Sequence, residues 1–124
     1  MIKFEDPWQL VTKKKINNNI IEYFDLMELS QGGPEIGLLC INGKIINKHR
    51  FGGPFLSDNN YIYIPIYIKN FFSSGFKICK LGINDFEVKV ISKKEDLIFL
   101  DKLDNSILYY FTDRNKVNLK SIKI

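Results

Sequence analysis

Apolar and polar residues alternate with a period of two over most of the second half of the chain. Tyr61-Ile-Tyr-Ile-Pro-Ile-Tyr-Ile68 is the plainest case. Such alternation places successive side chains on opposite faces of a strand. Ile62, Ile64, Ile66 and Ile68 form the natural core face. Tyr61, Tyr63, Pro65 and Tyr67 form the other, an amphipathic face with rings for contact and hydroxyls for water or a partner. Pro65 has no N–H to give, so its position predicts an edge or a bulge. Phe76–Leu81, Phe86–Ile91, Leu97–Leu100, Ile107–Phe111 and Val117–Ile122 continue the pattern, with Phe86, Val88 and Val90 expected inward. Asn84-Asp85, Ser92–Glu95, Asp104-Asn105 and Asp113–Lys116 supply the turns between them. Strands of roughly six residues with a turn about every ten are the signature of an antiparallel meander.

The first half is organised by one hairpin. Glu35–Ile41 and Lys44–Ile46 are apolar runs joined by Asn42-Gly43, and Gly-Gly-Pro breaks at 32–34 and 52–54 bracket them. Asn-Gly between apolar segments is the strongest short hairpin signal, because both residues accept positive φ. Residues 2–5 and Trp8–Thr12 read as short strands, Lys13–Lys15 as a basic run and Asn17–Asn19 as a turn. Ile20–Leu29 is ambiguous. Asn19 and Glu22 fit a helix start with a capping box, whereas Ile, Tyr and Phe suit a strand. The β-rich surroundings tip it towards strand. The expectation is a single mainly β domain over 1–124. An antiparallel meander of about eight strands would form a sandwich or a curved open barrel, with at most one short helix.

Composition supports this and adds little to it. The chain has ten Phe, six Tyr and one Trp but no Ala, which disfavours an all-helical protein. No run approaches the roughly 18 apolar residues of a membrane span, and the N-terminus lacks the shape of a signal peptide. Cys40 and Cys79 both lie in apolar runs and read as buried free thiols. These features predict a cytoplasmic protein that makes no use of a membrane.

Charge is more informative. The net charge is +4, yet between Lys15 and Lys44 there is no base, only Glu22, Asp25, Glu28 and Glu35. The remainder sets all 18 bases against ten acids, a net of +8. The chain is dipolar, and the acidic segment is suited to a basic partner.

Candidate chemistry is sparse. His49 is the one histidine, so any Ser-His-Asp or Cys-His machinery would need it; its polar setting reads as surface. One histidine and two cysteines at these spacings do not suggest a zinc site, and neither Gly-Gly pair opens a phosphate loop. No catalytic residue, metal or cofactor is expected. Two binding readings remain. Lys13–Lys15 with Tyr61, Tyr63 and Tyr67 would suit a small β-barrel that stacks single-stranded nucleic acid. Glu22, Asp25, Glu28, Glu35, Arg50, Tyr61, Tyr63, Tyr67, Phe71 and Phe72 would suit a protein interface, since Tyr, Phe and Arg are enriched there.

With its bracketed hairpin and the Tyr61–Ile68 strand, the chain resembles in overall character the immunity proteins of bacterial toxin–immunity systems, including contact-dependent inhibition. That resemblance implies a non-enzymatic inhibitor that occludes a cognate toxin domain, with the acidic segment and the tyrosine face as contacts. The chain departs from the acidic immunity proteins that oppose basic nucleases, because it is basic outside the 16–43 segment.

Overall fold

Asn42 and Gly43 take φ of 51° and 83°, the two left-handed positions that a tight hairpin of right-twisted strands requires. The turn folds β3 (Glu35–Ile41) onto β4 (Lys44–Phe51), with Ile41 opposite Lys44 and Leu39 opposite Ile46. The computed structural model describes residues 5–69 and 73–124. Residues 2–4 of the first expected strand, and Phe71 and Phe72, lie outside them.

The ambiguous segment is strand. β2 (Asn19–Glu28) pairs antiparallel with β3, setting Ile21 opposite Ile41 and Tyr23 opposite Leu39, and all four point into a common core. Upstream, the expectation is corrected. Trp8–Thr12 is not a strand: Asp6 and Gln9 form an isolated bridge around Pro7-Trp8, and the Trp8 amide donates to Asp6 Oδ1 at 2.8 Å. The strand lies in the basic run instead, as β1 (Lys13–Ile16). Lysine has little preference for strands in general, but β1 is the edge of its sheet, where lysine is a common guard against edge pairing.

The large sheet continues with β5 (Leu56–Ser57), β6 (Tyr61–Lys69), β7 (Ser74–Gly82) and β8 (Val88–Val90). Its order is β1-β2-β3-β4-β6-β7-β8, with β5 also pairing β6. Pro65 sits where the neighbour of β6 changes. Its carbonyl accepts from Gly52 N–H at 2.8 Å, Phe51 of β4 faces Ile66, and β5 then takes over opposite Tyr63 and Ile62. β9 (Phe99–Asp104), β10 (Ile107–Phe111) and β11 (Leu119–Lys123) make a separate antiparallel sheet, turned at Asn105 and Ser106 with φ of 51° and 64°. The described residues thus form eleven strands and no helix: the protein is mainly β, a curled antiparallel sheet with a smaller second layer.

That second layer changes the meaning of the alternating strands. One face of the large sheet buries Ile21, Leu39, Ile41, Phe51, Ile62, Ile64, Cys79 and Leu81. The other buries Ile36, Tyr63, Phe76 and Ile78 against Ile98, Leu100, Leu108 and Tyr110 of the small-sheet segment. The tyrosine face is therefore largely a core floor, and Tyr63 is only 1% exposed. Val90, expected inward, is exposed because β8 forms the far edge.

The Tyr63 hydroxyl donates to Asp58 Oδ2 at 2.9 Å, and Asp58 Oδ1 accepts from the Asn60 and Tyr61 amides at 2.9 and 2.8 Å. Desolvation raises the Asp58 carboxyl, but the Asn60 amide, the Tyr63 hydroxyl, the Tyr61 amide and the Lys80 charge outweigh it and leave it below its usual range. A lowered folded pKa adds stability above the unfolded value of about 3.9, and that contribution is lost as pH falls through the folded value. Asp58→Ala is expected to cost about 1–3 kcal/mol at neutral pH, because a buried hydroxyl loses its acceptor. The gap from the parent should narrow below about pH 4. Urea midpoints at neutral and acid pH measure both effects, and a constant gap would exclude the carboxylate as their source.

Candidate partner-binding groove between two strand bulges

Two irregularities interrupt the β2–β3–β4 ladder. In β2 the register shifts between Phe24 and Met27, and Asp25 takes φ of 53°. In β4 the partner of Leu39 is Ile46 but the partner of Gly37 is Phe51, so the four residues from Asn47 to Arg50 stand against Leu38 alone. Bulges bend a strand and re-aim its side chains. Gly37 lies beside the β2 bulge for a steric reason. A Cβ there would come within 2.6 Å of Leu26 Cδ2 and 3.0 Å of the Phe24 carbonyl oxygen. The Leu26 side chain occupies the space that a residue at 37 would need.

Arg50 ties the two bulges together. Its Nη2 donates to Asp25 Oδ2 at 2.7 Å, and its Nη1 donates to the Asp25 carbonyl. Asp25 is exposed, so the pair adds little to stability. Its consequence is geometric: the guanidinium is held on the wall of a groove of about 440 Å³. Met27, Leu29, Ile36, Tyr67 and Ile68 supply the apolar lining, and Lys48, His49, Arg50 and Lys69 supply the polar one; among the described residues no carboxylate lines it. The Tyr67 ring packs against Phe76 at a centroid distance of 5.6 Å.

An apolar face adjoins this groove. Residues directly opposite in an antiparallel pair share a face. Met27 faces Ile36, Phe24 faces Leu38, Glu22 faces Cys40, and Cys40 faces Ile45. Ile36 belongs to the second core, so the row lies on the same side of the sheet as the small sheet. The small sheet packs through β9 on β5 and β6, away from this row. Ile45 is 59% and Met27 48% exposed, while Phe24, Leu38 and Cys40 are half-buried.

The structure distributes the expected contact residues unevenly. Arg50 and Tyr67 meet at the groove, and Asp25 enters as the partner of Arg50. Glu22 stands opposite Lys13 on the outer face. Glu28 is opposite Glu35. Glu35 Oε1 accepts from Leu10 N–H at 3.0 Å, and Glu28 Oε2 from Gly32 N–H at 3.3 Å. The strand thus spreads carboxylates that a helix at i, i+3 and i+6 would have aligned, and no acidic patch results. Tyr61 remains exposed, under the Lys80 ammonium at 4.1 Å. Lys14 is engaged by Glu5 and by the Phe55 ring. His49, Lys48 and Lys69 were not among the expected contacts. The signal for Lys48 and His49 is the polar run Asn47–Arg50 between Ile46 and Phe51 of β4, which marks the bulge; Lys69, at the end of β6, has no such signal.

Among the described residues no group of three or more His, Cys, Asp or Glu is arranged to hold a metal. Burial pushes the Cys79 thiol up to about 12, which keeps it protonated and unreactive near neutral pH. The groove sets Lys48, His49, Arg50 and Lys69 beside apolar side chains. The chain matches no family model, and no curated protein or solved structure was found that resembles it.

Proposed function

We propose that this chain is a non-enzymatic protein-binding inhibitor of the immunity-protein kind, which neutralises a cognate bacterial toxin domain by covering it. The observation that carries the reading is the row Met27, Phe24, Leu38, Cys40 and Ile45, flanked by Glu22, in which Met27 and Ile45 are exposed and which continues into the groove through Met27 and Ile36. An apolar centre beside a charged rim is the usual anatomy of a protein interface. The contacts shift from those the sequence suggests: the row and the groove replace the acidic segment and most of the tyrosine face. The oligonucleotide alternative calls for a row of exposed rings. Tyr63 is buried and Tyr67 leans on Phe76, so Tyr61 alone would serve.

The test is co-expression with the product of the adjacent gene. The parent chain is expected to co-purify with that product and to relieve its toxicity. Ile45→Asp should abolish both while changing stability by no more than about 0.5 kcal/mol, as exposed substitutions do. Toxicity that persists in the presence of the parent chain would refute the inhibitor reading.

A further inference from the structure

We propose that β8 accepts a further strand: an extended segment of another protein, apolar at every second residue, that pairs antiparallel along its open edge. The site lies at the opposite end of the large sheet from β1. It is independent of the Met27–Ile45 row and stands whether or not the inhibitor reading does.

The first argument is the ladder. Ile91 N–H donates to the Ile78 carbonyl at 2.9 Å, and the Glu87 carbonyl accepts from Gly82 N–H at 3.0 Å. Backbone groups of an antiparallel strand alternate between its two sides. Glu87, Lys89 and Ile91 therefore turn theirs towards β7. Val88 and Val90 turn theirs to the open edge, with no partner strand among the described residues. These N–H and C=O groups, at strand spacing, are complementary to another extended backbone. The run ends at Ser92, whose Oγ accepts from Ile78 N–H at 2.7 Å in place of a carbonyl.

The second argument is the choice of edge. The two sheets end in β1, β8, β9 and β11. β1 is guarded by Lys13, Lys14 and Lys15, β9 packs on β5 and β6, and β11 carries Lys120 and Lys123. β8 is Val-Lys-Val, with Val90 44% exposed and an unbroken register against β7. It has no proline, bulge or run of lysines to blunt it.

The third argument is the groove beside this edge. Val90, Ile91 and Ser92 face Tyr110 and Ile122 of the small sheet across about 650 Å³. Ile91 and Ile122 are half-buried and pack on the second core. Paired residues share a face. Incoming residues opposite Lys89 and Ile91 thus stand on the groove side, where apolar ones extend that core. A second copy is a poorer occupant. Two β8 strands paired through Val88 and Val90 would centre on Lys89 and set it against itself at about 4.5 Å between Cα atoms. Like charges directly opposite destabilise a pair.

The experiment titrates the full-length, isotope-labelled chain with the neutral peptide acetyl-Gly-Thr-Val-Thr-Val-Thr-Gly-amide at millimolar concentration. One control peptide is N-methylated on its threonines, another on its valines. Saturable amide shifts are expected at Val88, Val90, Ile91 and Ile122. Exchange of the Val88 and Val90 amides should slow about tenfold at about nine-tenths occupancy, while the Lys89 amide, already turned to β7, changes little. With the valines in the groove, the threonine N–H groups meet β8. N-methylation of the threonines should abolish binding, and that of the valines should leave it within about twofold. Val90→Pro removes an N–H that the β7–β8 ladder does not use, so it should abolish binding and otherwise keep the parent spectrum. Should that variant lose its fold, the methylated peptides on the parent chain decide. Absence of saturable binding, equal binding of the two methylated peptides, protection on β11 instead of β8, or full binding to a folded Val90→Pro would overturn the proposal. So would concentration-dependent shifts at Val88 and Val90 without peptide, the mark of a second copy.

Discussion

Leu108→Ala is expected to lower stability by about 2–5 kcal/mol, a large part of the roughly 5–15 kcal/mol that holds a domain of this size together. Leu108 has 0% exposure and stands on β10, the central strand of the small sheet. Its neighbours in the second core include Tyr63, Phe76 and Ile78 of the large sheet. Truncation leaves a cavity between two layers, each braced by its own ladder, so neither can close over the gap cheaply. Val117→Ala is the control: Val117 is 74% exposed, and its truncation should stay within about 0.5 kcal/mol. Urea unfolding of both variants supplies the measurement. A cost below about 1 kcal/mol for Leu108→Ala would mean that the small sheet does not act as a second layer. A separate early transition would mean that it unfolds by itself.

The same two-layer arrangement explains what could and could not be read from the residues. Period-two alternation at Tyr61–Ile68 identifies a strand whatever surrounds it, and Asn42-Gly43 identifies a hairpin because only a few residues tolerate both φ values. These signals are local. The fate of Tyr63 is not. Whether a tyrosine at that position meets solvent or a core depends on Leu100, Leu108 and Tyr110, about forty residues on. A tyrosine on a strand face reads as amphipathic until its hydroxyl is found on Asp58. The Lys13–Ile16 strand was hidden because lysine carries little strand preference, and only its place at the sheet edge makes the run intelligible.

The groove was legible in fragments. Arg50 and Tyr67 are residue types that mark interfaces, but Glu22, Asp25 and Glu28 share one base-free segment and so read as one surface. β2 places Glu22 with Lys13 and Cys40, and the bulge sends Asp25 to Arg50. A bulge leaves only a weak trace in sequence: here, a polar run within β4 and Gly37 on the strand between. The sequence pattern places each residue on a strand. It does not count how many residues of one strand oppose one of the next.

Gly53→Ala is expected to cost about 2–6 kcal/mol, although it adds a single methyl group. A Cβ at Gly53 would lie 2.6 Å from the Tyr23 hydroxyl oxygen and 2.9 Å from Leu10 Cδ2. Tyr23 and Leu10 are both buried in the inner core, so neither can swing into solvent. The Tyr23 hydroxyl also donates to the Gly52 carbonyl at 2.6 Å. Burial, with the nearby charge of Glu5 and the thiol of Cys79, holds that hydroxyl well above its ordinary pKa, so it stays a donor. Overpacking a closed core costs about 1–3 kcal/mol. Pushing a buried hydroxyl off its acceptor costs about 1–3 kcal/mol more. The two costs share one atom, which makes them separable by experiment. Tyr23→Phe removes the oxygen that the new methyl would strike, and it leaves the Gly52 carbonyl without that donor. The double variant should therefore be more stable than the sum of the single costs predicts, by about 1 kcal/mol or more, the sign and size expected of residues in direct contact. Strict additivity would show that Leu10, not the Tyr23 hydroxyl, is what keeps position 53 a glycine.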